Sequence, residues 1–419
     1  MNFFYLKDLN FLFLFSFFLF FIFFVPNFFL DKLSFLICLL VLVISFIVIL
    51  RCKMIFIYYK NGEIVNLFFF FLMFILFFCF YYYNILFFYL FFELSVIPIY
   101  LYIIRWGVEK RKILARFFLF FFTFFSSLIF FLGLFLIYFF YGRLNFYLLF
   151  FGEFNFNFNL FFIFILIVFF VKIPVFIFHI WLPLAHVESP IIGSIVLASI
   201  ILKLGGYGLI RILIIFFFSY LKVKFYFFFI GIWGSLIIGI ICLLQVDLKK
   251  IVAFSSISHI RMLLISLFRI NFFGKYGFFL MIFGHGFISS LIFFCLGVLY
   301  YRFFSRNIFS LAGSILLLPI FGIWWFLSCI INIGFPPFIR FFREFFIFFR
   351  IITIDNLYFL VGLIIIIISS FYSINIIVYL ISGLRKIFNL SFEIMMLEHL
   401  ILLFHLIIIF MSIFYYWVF

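Results

Sequence analysis

Long apolar runs separated by short, mostly basic connections constrain this sequence more than any other feature. A helix needs about 20 apolar residues to cross the hydrocarbon core of a bilayer. Thirteen runs of roughly that length occur, at 9–30, 33–50, 66–83, 85–104, 115–141, 157–178, 190–212, 225–245, 248–268, 275–300, 313–347, 356–381 and 397–418. The chain is also 71% hydrophobic and only 10% charged. We therefore predict an all-α, polytopic transmembrane helix bundle of about 13 helices.

The net charge of +16 lies mostly in the connections between apolar runs. In a soluble protein it would suggest nucleic acid, but here membrane topology and binding of anionic lipid, such as cardiolipin, explain it better. Lysines and arginines favour alternate connections by 14 to 8, so the richer side should face the cytoplasm or matrix. The 91 phenylalanines are typical of AT-rich organellar coding. We predict a multi-pass protein of the mitochondrial inner membrane with its basic connections in the matrix.

Two five-run stretches in the middle of the chain resemble each other. Each contains one proline-interrupted run with an ionisable residue beside the break, Lys172 in the first and Glu344 in the second. Because each stretch has an odd number of helices, the second must be inverted relative to the first, as in many ion-coupled transporters. The predicted units are N-terminal helices at 1–65, a first repeat at 66–212, a second, inverted repeat at 213–382 and a C-terminal helix at 383–419.

Two lysines and a glutamate lie inside apolar runs, where a charge costs ~2.5–3.5 kcal/mol on insertion scales. Pro174 follows Lys172 and a glycine pair follows Lys203, and both features should weaken helical hydrogen bonding near the charge. Glu93 should find a cationic partner in Lys172 or Lys203. The alternative for each is a side chain that snorkels to water. Three such residues in one chain favour a path for ions.

Two histidines on successive predicted helices, His259 and His285, lie near serines and could relay protons. A satisfied core histidine is the alternative for each. Arg340 lies one helical turn before Glu344 and can pair with it, so Glu344 is either a titrating site or half of a structural ion pair. Arg261, two residues after His259, has no account from sequence beyond pairing or an interface.

Motifs for nucleotide, iron–sulfur and c-type haem binding are absent from the sequence, which contains no GxxxxGK[ST], GxGxxG, CxxC or CxxCH. The six cysteines are scattered without metal-ligand spacing. We expect no cofactor, no metal and no redox centre in this chain.

Several motifs in succession resemble one known family. They are FFELSVIP followed by RWG, the long block VKIPVFIFHIWLPLAHVESPIIGSIVLASIILKLGGYGLIR, DLKKIVAFSSISH, GHGFISSLIFFCLGVLYYR, and GFPP with Glu344 beyond it. In this order they resemble the chain 4 family of NADH–ubiquinone oxidoreductase, respiratory complex I. The resemblance covers about 90–345, and the block at 171–211 carries most of its specificity.

The resemblance implies a proton-translocating, antiporter-like subunit of the membrane arm. It would be part of NADH:ubiquinone reductase without catalysing redox chemistry itself. NADH, FMN, iron–sulfur clusters and ubiquinone would belong to partner subunits, and neighbouring antiporter-like chains and accessory subunits would be its partners. The implied roles are a coupled pair of Glu93 and Lys172, a relay at Lys203, a central axis of His259 and His285, and a terminal site at Glu344. The family usually has fourteen helices, and this chain would lack one at its N-terminus.

The chain departs from the family pattern at three places. A loop carboxylate is missing before Arg302, Arg340 and Arg343 precede Glu344 where the family has small or apolar residues, and Arg261 stands at a usually uncharged position. Two other functions remain open at this stage. One is a cation/proton antiporter subunit of a multi-subunit Na⁺/H⁺ antiporter, and the other is a structural membrane-arm scaffold with vestigial charges.

Overall fold

The computed structural model describes residues 32–58, 62–107, 111–146, 149, 159–267, 272–352, 356–383 and 395–418. These residues form α1 Lys32–Tyr58, α2 Gly62–Tyr81, α3 Ile85–Leu94, α4 Val96–Trp106, α5 Lys112–Tyr141, α6 Asn159–Lys172, α7 Trp181–Glu188, α8 Ile191–Val196, a π-helical turn Leu197–Ile201, α9 Leu202–Ile215, α10 Phe217–Leu243, α11 Leu248–Ser266, α12 Phe272–Phe303, α13 Ser314–Leu317, α14 Pro319–Ile333, α15 Ile339–Ile352, α16 Asn356–Ile381 and α17 Met396–Val418. The predicted all-α class is confirmed for this part of the chain, in which the only β pairing is two isolated bridges. The helix predicted at 9–30 lies outside the described residues.

Seven helices among the described residues are long and apolar enough to cross a membrane. They are Leu33–Arg51, Ile85–Trp106, Lys112–Tyr141, Ile191–Ile215, Phe217–Leu243, Gly274–Phe303 and Tyr358–Ile381. Four shorter apolar helices cover Leu67–Tyr81, Phe162–Lys172, Pro319–Ile333 and Met396–Ser412. All of these, together with the more polar α11, fall on predicted apolar runs. The periodic alternation of runs and connections was therefore a sound guide to the helices.

The run predicted as one helix at 85–104 is kinked in its middle. α3 ends at Leu94 and α4 begins at Val96, although the Ser95 N–H still donates to the carbonyl of Phe91 at 3.0 Å. Pro98 explains the kink, because it has no N–H to offer the carbonyl of Leu94 and its ring crowds the preceding turn. Glu93 therefore lies directly before a kink.

α12 is the buried centre of the bundle and packs against α1, the π turn, α11, α15 and α17. Glycine permits one of these approaches: a Cβ on Gly286 would lie 2.4 Å from Leu40 Cδ1 on α1. In contrast, α5 exposes a face of phenylalanines that includes Phe117, Phe121 and Phe125. Such a face suits lipid tails or a neighbouring membrane helix.

Two helical runs are interrupted inside the bundle. α6 ends at Lys172 and the next helix begins at Trp181, with irregular turns between them. α14 ends at Ile333, where Gly334 adopts the left-handed conformation with φ of 89° that commonly closes a helix. Both interruptions fall where the sequence predicts them.

The two isolated bridges occupy matching places in the two predicted repeats. Asn84 pairs with Asn145, and Asp247 pairs with Asn307. Asn84 and Asp247 also cap the following helix, each by accepting a hydrogen bond from the backbone N–H two residues ahead, at 3.0 and 2.9 Å. Each bridge joins the start of the second run of its unit to the end of the third. This recurrence supports two structurally related units, which the odd crossing count would relate by inversion.

Candidate functional site

Glu93 faces the bundle interior near the middle of its span. Eight residues separate it from Ile85, about 12 Å of helix, so its short side chain does not reach that end. Within the described residues its Oε1 is buried without a hydrogen-bond partner, and the charges of Glu93 and Lys172 act on one another. The structure thus disfavours the snorkelling alternative for Glu93.

Lys172 is 1% exposed and rests against an aromatic ring. Its Nζ lies 4.1 Å from the ring centroid of Phe92 and has no hydrogen-bond partner among the described residues. Glu93 and Lys172 are electrostatic neighbours, but they do not form an ion pair in the described chain. Consecutive helical residues point about 100° apart, so α3 presents Phe92 to the ammonium and Glu93 beside it. The predicted pair is present in an open arrangement.

The glycines after Lys203 bring α9 against the broken end of α6. A Cβ on Gly205 would lie 3.0 Å from Lys172 Cβ, and one on Gly208 would lie 2.1 Å from Phe169 Cε1. α9 continues regularly through these glycines to Ile215. The expectation that the glycine pair weakens the helix was therefore wrong, since these glycines serve close packing.

The helical irregularity beside Lys203 lies on its N-terminal side instead. Leu197–Ile201 forms a π-helical turn, a widened turn often found at functional sites. The Lys203 ammonium, 2% exposed, donates to the carbonyl of Ala198 inside this turn. The alternative of a side chain that snorkels to water is not observed for either lysine, because both ammonium groups lie inside the bundle.

The positive charge of Arg343 acts on Lys203. Lys203 in turn acts on two buried histidines, His285 and His186. These side chains come from α9, α15, α12 and α7, so α15 comes within electrostatic range of the last run of the predicted first repeat. The sequence did not predict this proximity.

His259 lies at the centre of a polar cluster. Its ring centroid is 6.1 Å from that of His285, its Nε2 is 2.6 Å from Tyr372 Oη and 2.9 Å from Arg340 Nη2. Arginine can only donate hydrogen bonds, so the ring nitrogen that faces Arg340 acts as an acceptor and carries no proton there. The satisfied-core alternative does not fit His285, whose Nε2 is buried without a partner in the described residues.

Glu344 is held in the ion pair that its spacing from Arg340 suggests. Its Oε1 accepts hydrogen bonds from Arg340 Nε at 2.7 Å and from Arg343 Nη2 at 3.4 Å. Arg340 also donates to Asn332 Oδ1 at 2.6 Å, across the α14–α15 break. Both arginines are 1% exposed. The alternative of a structural pair is therefore the arrangement observed, and the terminal site carries two fixed positive charges beside one carboxylate.

Sequence reasoning missed three residues of this site. His186 is fully buried and stacks on Phe293 with ring centroids 4.8 Å apart. Tyr372 reaches His259 from α16. Lys249 was counted as a connection residue, yet its ammonium donates to the carbonyl of Ser189 at 2.5 Å, just beyond α7. His186 could have been found, since it lies in the same unusual stretch as both lysines. Tyr372 lies in a stretch of sequence with no comparable feature that would have identified it.

A cavity opens beside this end of α7. Its wall includes Ser189, Lys249, Phe293 and Arg306, and Phe293 separates it from His186. Arg306 donates to the carbonyl of Val187 at 2.9 Å. Cations at the carboxyl end of a helix are favourable because they complete its last carbonyls. The cavity is mostly lined by apolar side chains, and Lys249 and Arg306 lie in its wall on the far side of Phe293 from His186.

The six predicted residues therefore form two groups. Glu93 and Lys172 act on one another electrostatically. His259 lies beside His285 and is linked to Glu344 through Arg340, and Lys203 is within electrostatic range of this second group. In the described parts of the chain, no three His, Cys, Asp or Glu side chains are arranged to hold a metal ion. The groups present can move a proton between neighbouring sites, because amine, imidazole, phenol and carboxylate all exchange protons.

Three kinds of comparison with known proteins give one result. Residues 83–371 match the family described as NADH:quinone oxidoreductase/Mrp antiporter, TM. This range includes all six predicted site residues. A protein named NADH-ubiquinone oxidoreductase chain 4 from Rhipicephalus sanguineus is 35% identical over 77% of this chain and 73% of its own. The proteins of that name from Ceratitis capitata and Locusta migratoria are each 36% identical, but this chain spans only 55% and 57% of their lengths.

Solved structures share the fold. A chain of respiratory complex I from Thermus thermophilus with bound NADH superposes with a TM-score of 0.82 at 19% identity, over 91% of this chain and 80% of that one. A chain of the Mrp complex from Dietzia sp. superposes with a TM-score of 0.77 at 17% identity, over 85% and 67%. At such identities the likeness concerns the fold alone.

Proposed function

Because this chain belongs to the NADH:quinone oxidoreductase/Mrp antiporter transmembrane family, we propose that it is a proton-translocating, antiporter-like subunit of the membrane arm of respiratory complex I. Electron transfer from NADH to ubiquinone in other subunits would drive it. The observation that carries the proposal is a row of ionisable side chains inside the bundle, from Glu93, which is half-buried, through the buried Lys172, Lys203, His285 and His259 to Glu344. Burying so many charged groups is costly, and functional use is the usual reason for it.

The first step would be a switch between an open and a closed Glu93–Lys172 pair. In the open arrangement the ammonium rests on the Phe92 ring, a contact worth about 0.5–2 kcal/mol. A pair of unit charges about 4 Å apart attracts by about 4 kcal/mol at an effective dielectric constant of 20, so closing the pair would gain the part of this attraction that the open arrangement does not already have. Each 1.4 kcal/mol of that gain changes the equilibrium constant about tenfold. A small rotation of the kinked α3–α4 run could therefore gate the proton on Lys172.

Lys203 would carry the next step. Its ammonium bonds a π-turn carbonyl and lies under the fixed charge of Arg343. That repulsion would favour passing the proton to a neutral neighbour, and His285 is one of the two imidazoles on which Lys203 acts. Waters bridging these groups would complete the transfer.

The far end would work through Arg340. Arg340 Nη2 lies 2.9 Å from His259 Nε2 and 3.2 Å from Nδ1, and since arginine only donates, the ring nitrogen that bonds it could take up a proton only if the guanidinium moved away. Glu344 would then act as the fixed anion that holds Arg340 and Arg343, with Tyr372 as the hydroxyl next to the imidazole. This differs from the role that the family resemblance implies for Glu344, which was a terminal titrating site.

The chain would lie in the mitochondrial inner membrane, with its basic connections in the matrix. The eukaryotic relatives named NADH-ubiquinone oxidoreductase chain 4 support it, as do Lys249 and Arg306 beside one cavity. Partners would be other membrane-arm subunits, accessory subunits and anionic lipid. The cofactors NADH, FMN, iron–sulfur clusters and ubiquinone would reside in those partners.

The test is the variant Lys172→Met in the assembled complex, with Lys222→Met as matched control because Lys222 is exposed at the start of α10. Proton uptake and NADH oxidation are measured together in sealed vesicles. We expect a lower proton-to-electron ratio for Lys172→Met and an unchanged one for the control.

Other outcomes would select another function. An unchanged ratio for Lys172→Met in a fully assembled complex would contradict the proposal. Sodium-dependent proton exchange without NADH would indicate the antiporter alternative, and a loss of assembly without a change in ratio would indicate a scaffold.

A further inference from the structure

The break after α6 leaves backbone carbonyls without helical partners inside the membrane. Such carbonyls are tolerated only where side chains or water satisfy them. Two long-range donors do so here. The indole of Trp181 donates to the carbonyl of Val171 at 3.1 Å, and the guanidinium of Arg261 donates to the carbonyl of Pro174.

The Arg261 contact is a three-bonded clamp. Nε and Nη2 donate to the Pro174 carbonyl at 3.0 and 2.9 Å, and Nη1 donates to the Gly234 carbonyl at 2.6 Å. The residue is 0% exposed. A Cβ at position 234 would lie 2.9 Å from Nη1, so glycine there makes room for the fork. A planar fork with several donors is a property of arginine that lysine lacks.

The clamp connects the two groups of the relay. Pro174 lies two residues after Lys172, and Arg261 lies two residues after His259. Gly234 adds α10, which packs along α11. The free end of α6 is thus tied to α11 and α10 by a side chain that cannot lose its charge.

We propose that Arg261 is a positioning residue that fixes the broken end of α6, and with it Lys172, relative to the helix that carries His259. The inference rests on the proposed function for its effect on proton transfer, but the clamp itself does not. Because the fork joins the carbonyl of Pro174, in the turn after α6, to that of Gly234 on α10, a movement of α11 is transmitted to the segment 173–180.

The test compares Arg261→Met, Arg261→Lys and Gly234→Ala in the purified complex. Hydrogen exchange of the segment 173–180 reports the clamp, and the proton-to-electron ratio reports its use. For Arg261→Met we expect exchange to rise about 10- to 100-fold, as for loss of hydrogen bonds to a charged donor, and the ratio to fall towards that of Lys172→Met. Arg261→Lys keeps one donor group and should restore part of both quantities.

If the complex with Arg261→Met does not assemble, Gly234→Ala replaces it in the test. The added methyl group disturbs the bond of Arg261 to the Gly234 carbonyl while the arginine itself is retained. Faster exchange and a lower ratio in this variant support the proposal. Unchanged exchange in either variant overturns the clamp, and faster exchange with a wild-type ratio overturns its positioning role. If Lys172→Met itself pumps normally, the proposed function fails, whereas the exchange result still decides whether the clamp exists.

Discussion

At the scale of single residues, the terminal cluster is the least ordinary part of this chain. Glu344 shares one oxygen between Arg340 and Arg343, and all three are buried. An arginine keeps its proton in any protein environment, so these two supply constant charge and cannot be relay members. The groups able to exchange a proton nearby are His259, His285 and Tyr372.

Glu344→Gln should destabilise the complex more than it alters pumping. Removing the carboxylate leaves two buried guanidinium groups uncompensated, and breaking a buried pair costs about 3–5 kcal/mol. Thermal unfolding of the purified complex, together with its yield, measures the effect. The double variant Arg340→Met with Glu344→Gln is the control, since it removes one charge of each sign and should recover stability. A stable Glu344→Gln complex with a reduced proton-to-electron ratio would show instead that Glu344 titrates.

The Arg340–Glu344 ion pair shows which contacts between side chains could be predicted from the sequence. The spacing of Arg340 and Glu344 places them one helical turn apart, so that contact was available from the sequence. The contact of Arg340 with His259 joins positions 81 residues apart, and it depends on how α15 returns after its break. Residue chemistry identified the participants, whereas their grouping required the fold.

At the scale of elements, glycines decide how closely α9 approaches α6. Gly208 meets the ring of Phe169, and Gly205 meets the turn after Lys172. Because Lys172 and Lys203 lie on these two helices, the same packing sets the distance between the two groups of the site.

Gly208→Ala should weaken this packing, because the new methyl group would lie 2.1 Å from Phe169 Cε1. Overpacking of this kind costs typically 1–3 kcal/mol. Gly277→Ala is the matched control, since its methyl group would make only ordinary contacts of 3.5 Å with α15. Thermal unfolding should show a lower midpoint for the first variant and an equal or higher one for the second. Equal midpoints would mean that Phe169 moves aside freely.

Elements divide into those that sequence predicts well and those that it does not. Prolines mark both broken helices and the kink before Pro98, because a missing N–H acts locally. The π turn at Leu197–Ile201 carries no comparable mark, since its residues are ordinary helix formers and one extra residue per turn is selected by packing. The glycine pair after Lys203 was misread because close packing and backbone weakness have the same residue signature.

At the scale of the whole molecule, the two predicted repeats each contain one isolated bridge and one broken helical run, and the polar row runs between them. The row passes from α3 and α6, through α9 and α12, to α11 and α15. The outer surface exposes apolar side chains, as on α5, and such a surface suits lipid or partner helices. We propose that protons cross between the two halves through this row, with Lys203 at the junction.

The most direct measurement of that claim is the proton-to-electron ratio of Lys203→Met in the assembled complex, compared with Lys222→Met. Losing a proton-transfer group slows transfer by about 100-fold or more, which during turnover removes this subunit's contribution. We expect a lower ratio for Lys203→Met at normal NADH oxidation with an artificial acceptor, and a wild-type ratio for Lys222→Met. A wild-type ratio in Lys203→Met would contradict it.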